Sequence, residues 1–257
     1  MSALPAVLVA RNTFREVVRD RVLGGIVAGG LVLLGVTRLA SPLAMGEGLR
    51  LTVDLGLSSV TWLGLLVVLT VGTALVSKEI DRRTIFNLIS RPLPRPLYLV
   101  GKWLGLSAAL AAVAAILGLA LWTLLAALGH AAYAGAIAEA VYLAALELAV
   151  VTSLAVMFSA LSTPVLSALY TLGCFLAGQW CDDLRRFAVH CPDGLRVLLQ
   201  GAANVLPNLT LFNVRSLAAA GEVTTATHLA LASAYAALYC ACVLALAAAA
   251  FESRDFK

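Results

Sequence analysis

Long uninterrupted runs of apolar residues constrain this chain more than any other feature. Six such runs, each close to the length that an α-helix needs to cross a bilayer, cover most of the 257 residues. Charged residues make up only 12% of the chain, whereas soluble domains carry about 25%. The sequence therefore predicts an all-α integral membrane protein.

The predicted architecture is a single transmembrane domain over residues 1–257 with six spans. These spans are expected at roughly 22–40, 56–77, 101–128, 138–160, 164–180 and 228–250. The third is longer than a bilayer requires, so it is tilted or extends beyond the membrane. Pro164 stands where the fifth begins, a position that favours proline.

An amphipathic helix is predicted at about 5–21, before the first span. Its apolar arc at 100° per residue consists of Ala6, Val7, Ala10, Phe14, Val17 and Val18. Arginines and other polar residues fill the opposite side. Such a helix lies in the membrane interface, with its arginines near lipid phosphates. The alternative is an ordinary polar lead-in to the first span.

The distribution of basic residues predicts that both termini lie in the cytoplasm. Lys and Arg are retained on that side of a membrane. With both termini inside, twelve of the eighteen basic residues are cytoplasmic and six are external. Most of those six lie in segment 182–227, which is long enough for its charges to carry less topological weight. The basic residues lie next to the ends of the predicted spans and do not form one patch, so no nucleic-acid partner is expected.

The loop 78–98 differs from an ordinary solvated loop. Charged and polar residues begin a short helix there: Glu79, Asp81, Arg82, Arg83 and Thr84. Apolar residues follow at Ile85, Phe86, Leu88 and Ile89. Pro92, Pro94 and Pro96 then end the helix and favour an extended return. Apolar side chains on a short aqueous helix suggest that a partner docks on it. The alternative is a plain basic loop that fixes topology.

Glu147 is the acid that the predicted spans place deepest in the hydrocarbon. An intramembrane carboxylate is by default a functional hypothesis, here a position on a substrate path or against a partner helix. The alternative is a protonated carboxyl, or a span that starts later and leaves Glu147 near the interface. Gln179 and Glu139 lie closer to the outer surface and need no special role.

The cysteines and histidines give weaker signals. Cys181 and Cys191 lie in the external segment and are a candidate disulfide in an oxidising compartment; the alternative is two unpaired thiols. No Cys/His cluster suggests a metal site, and no cofactor is expected. The sequence also lacks a Walker A motif, a His-Glu-x-x-His motif and a Gly-x-Ser-x-Gly motif. The chain is therefore not expected to be an enzyme.

The loop and the start of the third span resemble those of ABC type-2 exporter permeases. The resemblance is carried by Lys78–Pro92, with its Glu79 and Thr84, and by Tyr98-x-x-Gly101-Lys102. Leu206-Pro-Asn-Leu209, Phe212-Asn213 and the terminal Phe251–Phe256 are similar to the branch that contains nitrous-oxide-reductase maturation and gliding-associated permeases. The Pro-Leu-Pro-Arg-Pro run is richer in proline than that pattern.

The resemblance implies a permease in a prokaryotic inner membrane, with Glu79, Asp81, Arg82, Arg83, Thr84 and Phe86 docking on a separate ATPase subunit. It also implies two ATPase copies and two permease subunits around a central path, either two copies of this chain as a homodimer or this chain with a related permease. Family membership does not carry the substrate over. Two other functions stay open: a membrane scaffold that recruits a cytoplasmic partner without transport, and an intramembrane enzyme that uses Glu147 with His130 or Glu139.

Overall fold

The structure is a computed structural model that describes residues 4–40, 47–74, 95–189 and 192–252. Within these ranges every regular element is helical. The α-helices are α1 (Leu4–Val18), α2 (Arg21–Ala40), α3 (Gly48–Val67), α4 (Arg95–Ala127), α5 (Ala134–Leu161), α6 (Pro164–Gln179), α7 (Cys181–Ala188), α8 (Asp193–Val205), α9 (Arg215–Ala219) and α10 (Ala226–Glu252). A π-helical turn, Val68–Gly72, extends α3, and 3-10 turns lie at Ala131–Tyr133 and Leu209–Phe212.

Four of these helices are long and apolar enough to cross a membrane. They comprise α3 with its π turn, α4, α5 with the preceding 3-10 turn, and α10. The apolar parts of α2 and α6, Arg21–Thr37 and Pro164–Gln179, are shorter. At 1.5 Å per residue α6 is about 24 Å long, less than the roughly 30 Å of a hydrocarbon core. The count of six spans therefore stays a prediction, although a helix lies at each predicted position.

Local sequence explains two of the turns, one between α1 and α2 and one between α5 and α6. Asp20 Oδ1 accepts a hydrogen bond from Val22 N at 2.9 Å, so it caps α2 and separates it from α1. The amphipathic helix consequently ends at Val18, earlier than residue 21. At the other turn, Ser162 and Thr163 are extended and Pro164 opens α6. Proline disfavours a helical residue before it and suits the first helical position, so α5 and α6 form a tight antiparallel hairpin.

Helices α4 and α5 form the centre of the bundle. Leucines on α4 recur at helical spacing on its buried side: Leu99, Leu106, Leu110, Leu117, Leu121 and Leu125. The carbonyl of Ala149 on α5 accepts hydrogen bonds from Trp103 Nε1 at 2.9 Å and Cys240 Sγ at 3.7 Å, which joins α4, α5 and α10.

Glycines allow the helices to approach closely. A Cβ at Gly118 of α4 would lie 2.4 Å from Val141 Cγ2, and one at Gly64 of α3 would lie 2.3 Å from Leu148 Cδ1. Real Cβ atoms do not approach that closely, so a side chain at either position would force Val141 or Leu148 to shift. Small residues at helix contacts are the usual device for close packing of membrane helices.

Candidate functional site

Helix α1 packs along the first turns of α4, beside the point where the chain leaves loop 78–98. Gly101 and Gly105, one turn apart on α4, face α1 directly. A Cβ at Gly105 would lie 2.5 Å from Ala10 O, and a Cβ at Gly101 would lie 2.9 Å from Ala6 O. The two backbones are thus in contact, which ties α1 to the segment that leads out of the predicted docking loop.

Lys102, which stands between Gly101 and Gly105 in the sequence of α4, is a buried cation. Lys102 is 3% exposed, and its Nζ lies 3.8 Å from Glu16 Oε2 of α1 and 5.8 Å from the centre of the Tyr98 ring. An ammonium group removed from water needs partners of this kind. The Gly-Lys sequence recognised in the family motif therefore contributes packing through Gly101 and a charge contact with α1 through Lys102.

The apolar arc predicted for α1 is divided between the bundle and the outer surface. Ala6 and Val17 are buried against the bundle, whereas Val7 and Val18 are about half exposed. Thr13, which was not assigned to that arc, is fully buried. The buried side is set by the close contact with α4, and Val7 and Val18 are left on the outer surface.

The predicted docking residues cannot be placed. Glu79, Asp81, Arg82, Arg83, Thr84 and Phe86 all lie outside the described residues. The described chain ends at Ala74 after the π turn of α3 and resumes at Arg95 with α4. Docking on this loop therefore stays a prediction.

Glu147 lies near the middle of α5 and is 2% exposed. Its Oε1 accepts a hydrogen bond from Gln179 Nε2 at the end of α6. Arg215, the first residue of α9, attracts the Glu147 carboxylate electrostatically. The sequence identified Glu147 as the deepest acid, and the structure surrounds it with polar groups from α6 and α9. We call Glu147, Gln179, Arg215 and Ser58 the polar cluster.

Ser58 of α3 belongs to this cluster through Arg215. Arg215 Nη1 donates to Ser58 Oγ at 2.9 Å. Ser58 lies ten residues into α3, so it is roughly 15 Å from the start of that helix. The polar cluster therefore lies well inside the bundle rather than at its end.

Arg215 reaches this depth because the segment after α6 returns into the bundle. Two tyrosines well inside α10 hold this segment. Tyr235 Oη accepts a hydrogen bond from Asn208 N at 2.8 Å, and Tyr239 Oη donates one to Val205 O at 3.2 Å.

The Asp182 carboxylate adds two hydrogen bonds within the segment. It accepts from Thr210 Oγ1 at 2.6 Å and from Asn208 Nδ2 at 3.2 Å. The segment predicted as external at 182–227 thus packs beside the middle of α10. Asn208 is only 7% exposed, and its backbone N–H and side-chain amide both take part in these hydrogen bonds.

The remaining candidates are placed as follows. Cys181 is buried, and Cys191 lies outside the described residues, so the disulfide stays a prediction. Burial raises the pKa of the Cys181 thiol, with Arg185 acting in the opposite direction. Glu139 accepts a hydrogen bond from Thr224 N at 2.6 Å. No group of three metal-ligating side chains occurs in the described part of the chain.

Sequence reasoning missed Gln179, Arg215 and Ser58. The contact between Glu147 and Gln179 could have been predicted from the sequence, because the α5–α6 turn lies nearly midway between the two residues. An antiparallel hairpin with that turn brings the two residues level. Arg215 and Ser58 had no such signal, since their meeting depends on the return of a long segment into the bundle.

Nearly the whole chain matches one known protein family. Residues 7–256 match the family described as ABC-2 family transporter protein. The chain belongs to the ABC-2 transporter family. This membership covers nearly the whole chain and makes it a membrane transport component, in agreement with the resemblance drawn from loop 78–98 and the start of α4. A comparison with curated proteins gave no match.

Proposed function

We propose that this chain is the permease subunit of an ABC exporter in a prokaryotic inner membrane. A separate ATPase subunit would dock on loop 78–98 and drive transport by ATP hydrolysis. The observation that carries this proposal is family membership over residues 7–256. The chain itself lacks a phosphate-binding loop, so a partner must supply the nucleotide site. The residues resembling nitrous-oxide-reductase maturation permeases support placement in that branch.

The contact between α1 and α4 supports a mechanical role for the loop. Force applied at loop 78–98 would reach α3 on one side and α4 on the other. Because Gly101 and Gly105 hold α1 against α4, we expect α1 to move with the start of α4. ATP binding by two ATPase copies would then shift the bundle between two states with different access to the path.

A homodimer with the path between the two copies is part of the proposal. The outward surface of α2 offers a contact, since Cβ atoms at Gly25 and Gly29 would meet nothing within 4 Å. These glycines lie one turn apart, the spacing that allows two membrane helices to pack closely. Gly30, on the other side of α2, packs within the chain against Leu117 and Leu63.

The docking assignment is tested by removing two charges from the loop. Glu79→Ala with Arg83→Ala should weaken ATPase binding about tenfold or more, because loss of an interface hot spot costs about 2 kcal/mol or more. The measurements are ATPase affinity and ATP hydrolysis of the reconstituted complex. The matched control is Glu47→Ala with Arg50→Ala, which removes an exposed ion pair of 3.7 Å at the other end of α3.

Three outcomes separate the open functions. Loss of coupling in the loop variant, with the control unaffected, supports the permease. A partner that binds without any ATP hydrolysis would indicate a scaffold. An activity of the isolated chain that Glu147→Gln abolishes would indicate an intramembrane enzyme.

A further inference from the structure

The π turn at the end of α3 departs from the regular helices around it. Over Val68–Gly72 the backbone follows a five-residue hydrogen-bond spacing, and Thr73 N donates to Val68 O at 3.1 Å. Such turns are rare and occur frequently at functional sites. This one comes shortly before loop 78–98 in the sequence. It therefore lies where a movement of the predicted docking loop would first reach the bundle.

Helices α4 and α5 hold the π turn on one side. The buried Ser159 of α5 donates from Oγ to Thr73 O at 2.7 Å. Gly72 comes close to both helices, since a Cβ there would lie 3.0 Å from Leu106 Cδ2 and 3.7 Å from Ala155 Cβ. The hydroxyl of Ser159 thus supports the end of α3 from the core of the bundle.

Two threonines weaken the backbone hydrogen bonding of α3 at this turn. Thr70 Oγ1 donates to Leu66 O at 2.8 Å, and Thr73 Oγ1 donates to Leu69 O at 2.7 Å. A hydroxyl that bonds a carbonyl four residues earlier competes with the backbone N–H, slightly destabilises the helix and often bends it. A change of hydrogen-bond spacing is therefore easier here than in a regular part of α3.

The π turn borders an open cavity on the side that faces α6. The cavity has a volume of about 360 Å³ and lies between the end of α3 and the first turns of α6. Its walls include Leu69, Thr73, Ala168 and Leu172. The end of α3 thus has room to move toward α6, whereas Ser159 and the close contacts of Gly72 hold it on the opposite side.

We propose that the π turn is a switch between two hydrogen-bond spacings of α3. In the second state Val68–Gly72 is α-helical, Ser159 releases Thr73 O, and the end of α3 enters the cavity against α6. Moving the extra residue out of the turn shifts the chain that follows by one helical position, roughly 1.5 Å along the axis and about 100° around it. Helix shifts of about 1–2 Å are a common element of conformational switching. The switch rests on the proposed function, because the docked ATPase would drive it.

The first experiment uses the isolated permease and needs no ATPase. Ser159→Ala removes the hydroxyl that holds Thr73 O, so the amides of residues 69–74 should exchange hydrogen about tenfold faster. The matched control is Ser153→Ala, because Ser153 is also buried in α5 but donates to Val150 O of the same helix. Equal exchange of residues 69–74 in the two variants would overturn the role of Ser159.

A cavity-filling variant distinguishes the switch from simple fraying of the helix end. Ala168→Phe fills the cavity, so adding it to Ser159→Ala should restore the slow exchange of residues 69–74. Ala237→Phe adds the same ring on the exposed side of α10 and should leave the exchange fast. Thermal unfolding shows that each variant is folded, and Ala168→Leu takes the place of Ala168→Phe if the ring is not tolerated. Fast exchange that persists in a folded cavity-filled variant would overturn the switch.

The second experiment uses the permease reconstituted with its ATPase in lipid vesicles. The exchange of residues 69–74 should differ between the nucleotide-free complex and the complex with a non-hydrolysable ATP analogue. Ala168→Phe should remove this difference and leave ATPase affinity unchanged. Equal exchange in the two wild-type states would overturn the switch. ATPase affinity is measured in the same samples, so a failure of the switch is distinguishable from a failure of the proposed function.

Discussion

Replacing Gly105 with alanine tests how α1 is held on the bundle. The added Cβ would lie 2.5 Å from Ala10 O, 2.7 Å from Thr13 Cβ and 3.1 Å from Phe14 N. Ordinary contact begins at 3.4 Å, so the helices would have to separate by about 0.9 Å. Two of the three atoms belong to the backbone and cannot rotate away. Overpacking of this kind costs about 1–3 kcal/mol.

We expect this cost to appear as detachment of α1 from α4. A loss of 1–3 kcal/mol increases the open population about 5- to 150-fold. The assay is amide hydrogen exchange over residues 6–18 in the purified protein. Gly101→Ala should have a smaller effect, because its closest backbone atom would be 2.9 Å away. Gly173→Ala in α6 is the control, since its Cβ meets nothing within 4 Å. Exchange in Gly105→Ala equal to that in the control would refute the close-contact account.

Two further predictions concern the stability of the folded chain. Asp182→Ala removes the acceptor of Thr210 and Asn208, and should lower the free energy of unfolding by about 1–3 kcal/mol, measured by chemical denaturation in detergent. An Asp182→Ala variant as stable as the wild type would show that these hydrogen bonds do not hold segment 182–227 against the bundle. Gly64→Ala should be destabilising by about 1–3 kcal/mol, and Leu148→Ala in the same chain should relieve part of that strain. Strictly additive losses in this double-mutant cycle would contradict the predicted contact.

Composition and periodicity predicted an all-α chain with long apolar helices. The run 101–128 overlaps α4 and ends one residue beyond it, and the run 138–160 falls inside α5, because nearly every residue there is apolar and no glycine or proline ends the helix early. The second span was predicted to start at about residue 56, after Arg50 and Asp54. The structure begins this helix at Gly48 and places both charges in its first two turns.

The amphipathic helix shows a different limit of sequence reasoning. Its hydrophobic arc predicted one apolar side, yet Val7 and Val18 face outward while Thr13 is buried. A sequence gives the angular position of each side chain but not which neighbour it meets. Here the glycines of α4 determine the contact, because they admit the backbone of α1 at Ala10 and Phe14.

The polar cluster was predicted only in part. Glu147 stood out because an acid in a long apolar run is unusual. Its partners come from elements remote in sequence, and Arg215 reaches it only because Asp182, Asn208 and Tyr235 fold the intervening segment back beside α10. Long-range returns of this kind leave no periodic signal in the sequence.

The most direct test of the account is purification of the protein from native membranes in mild detergent, followed by native mass spectrometry. The account predicts a complex with two permease copies and two copies of an ATPase that carries a Walker A motif. The ATPase should be lost from the Glu79→Ala, Arg83→Ala variant and retained in the Glu47→Ala, Arg50→Ala control. A folded permease that carries no ATPase would contradict the central claim.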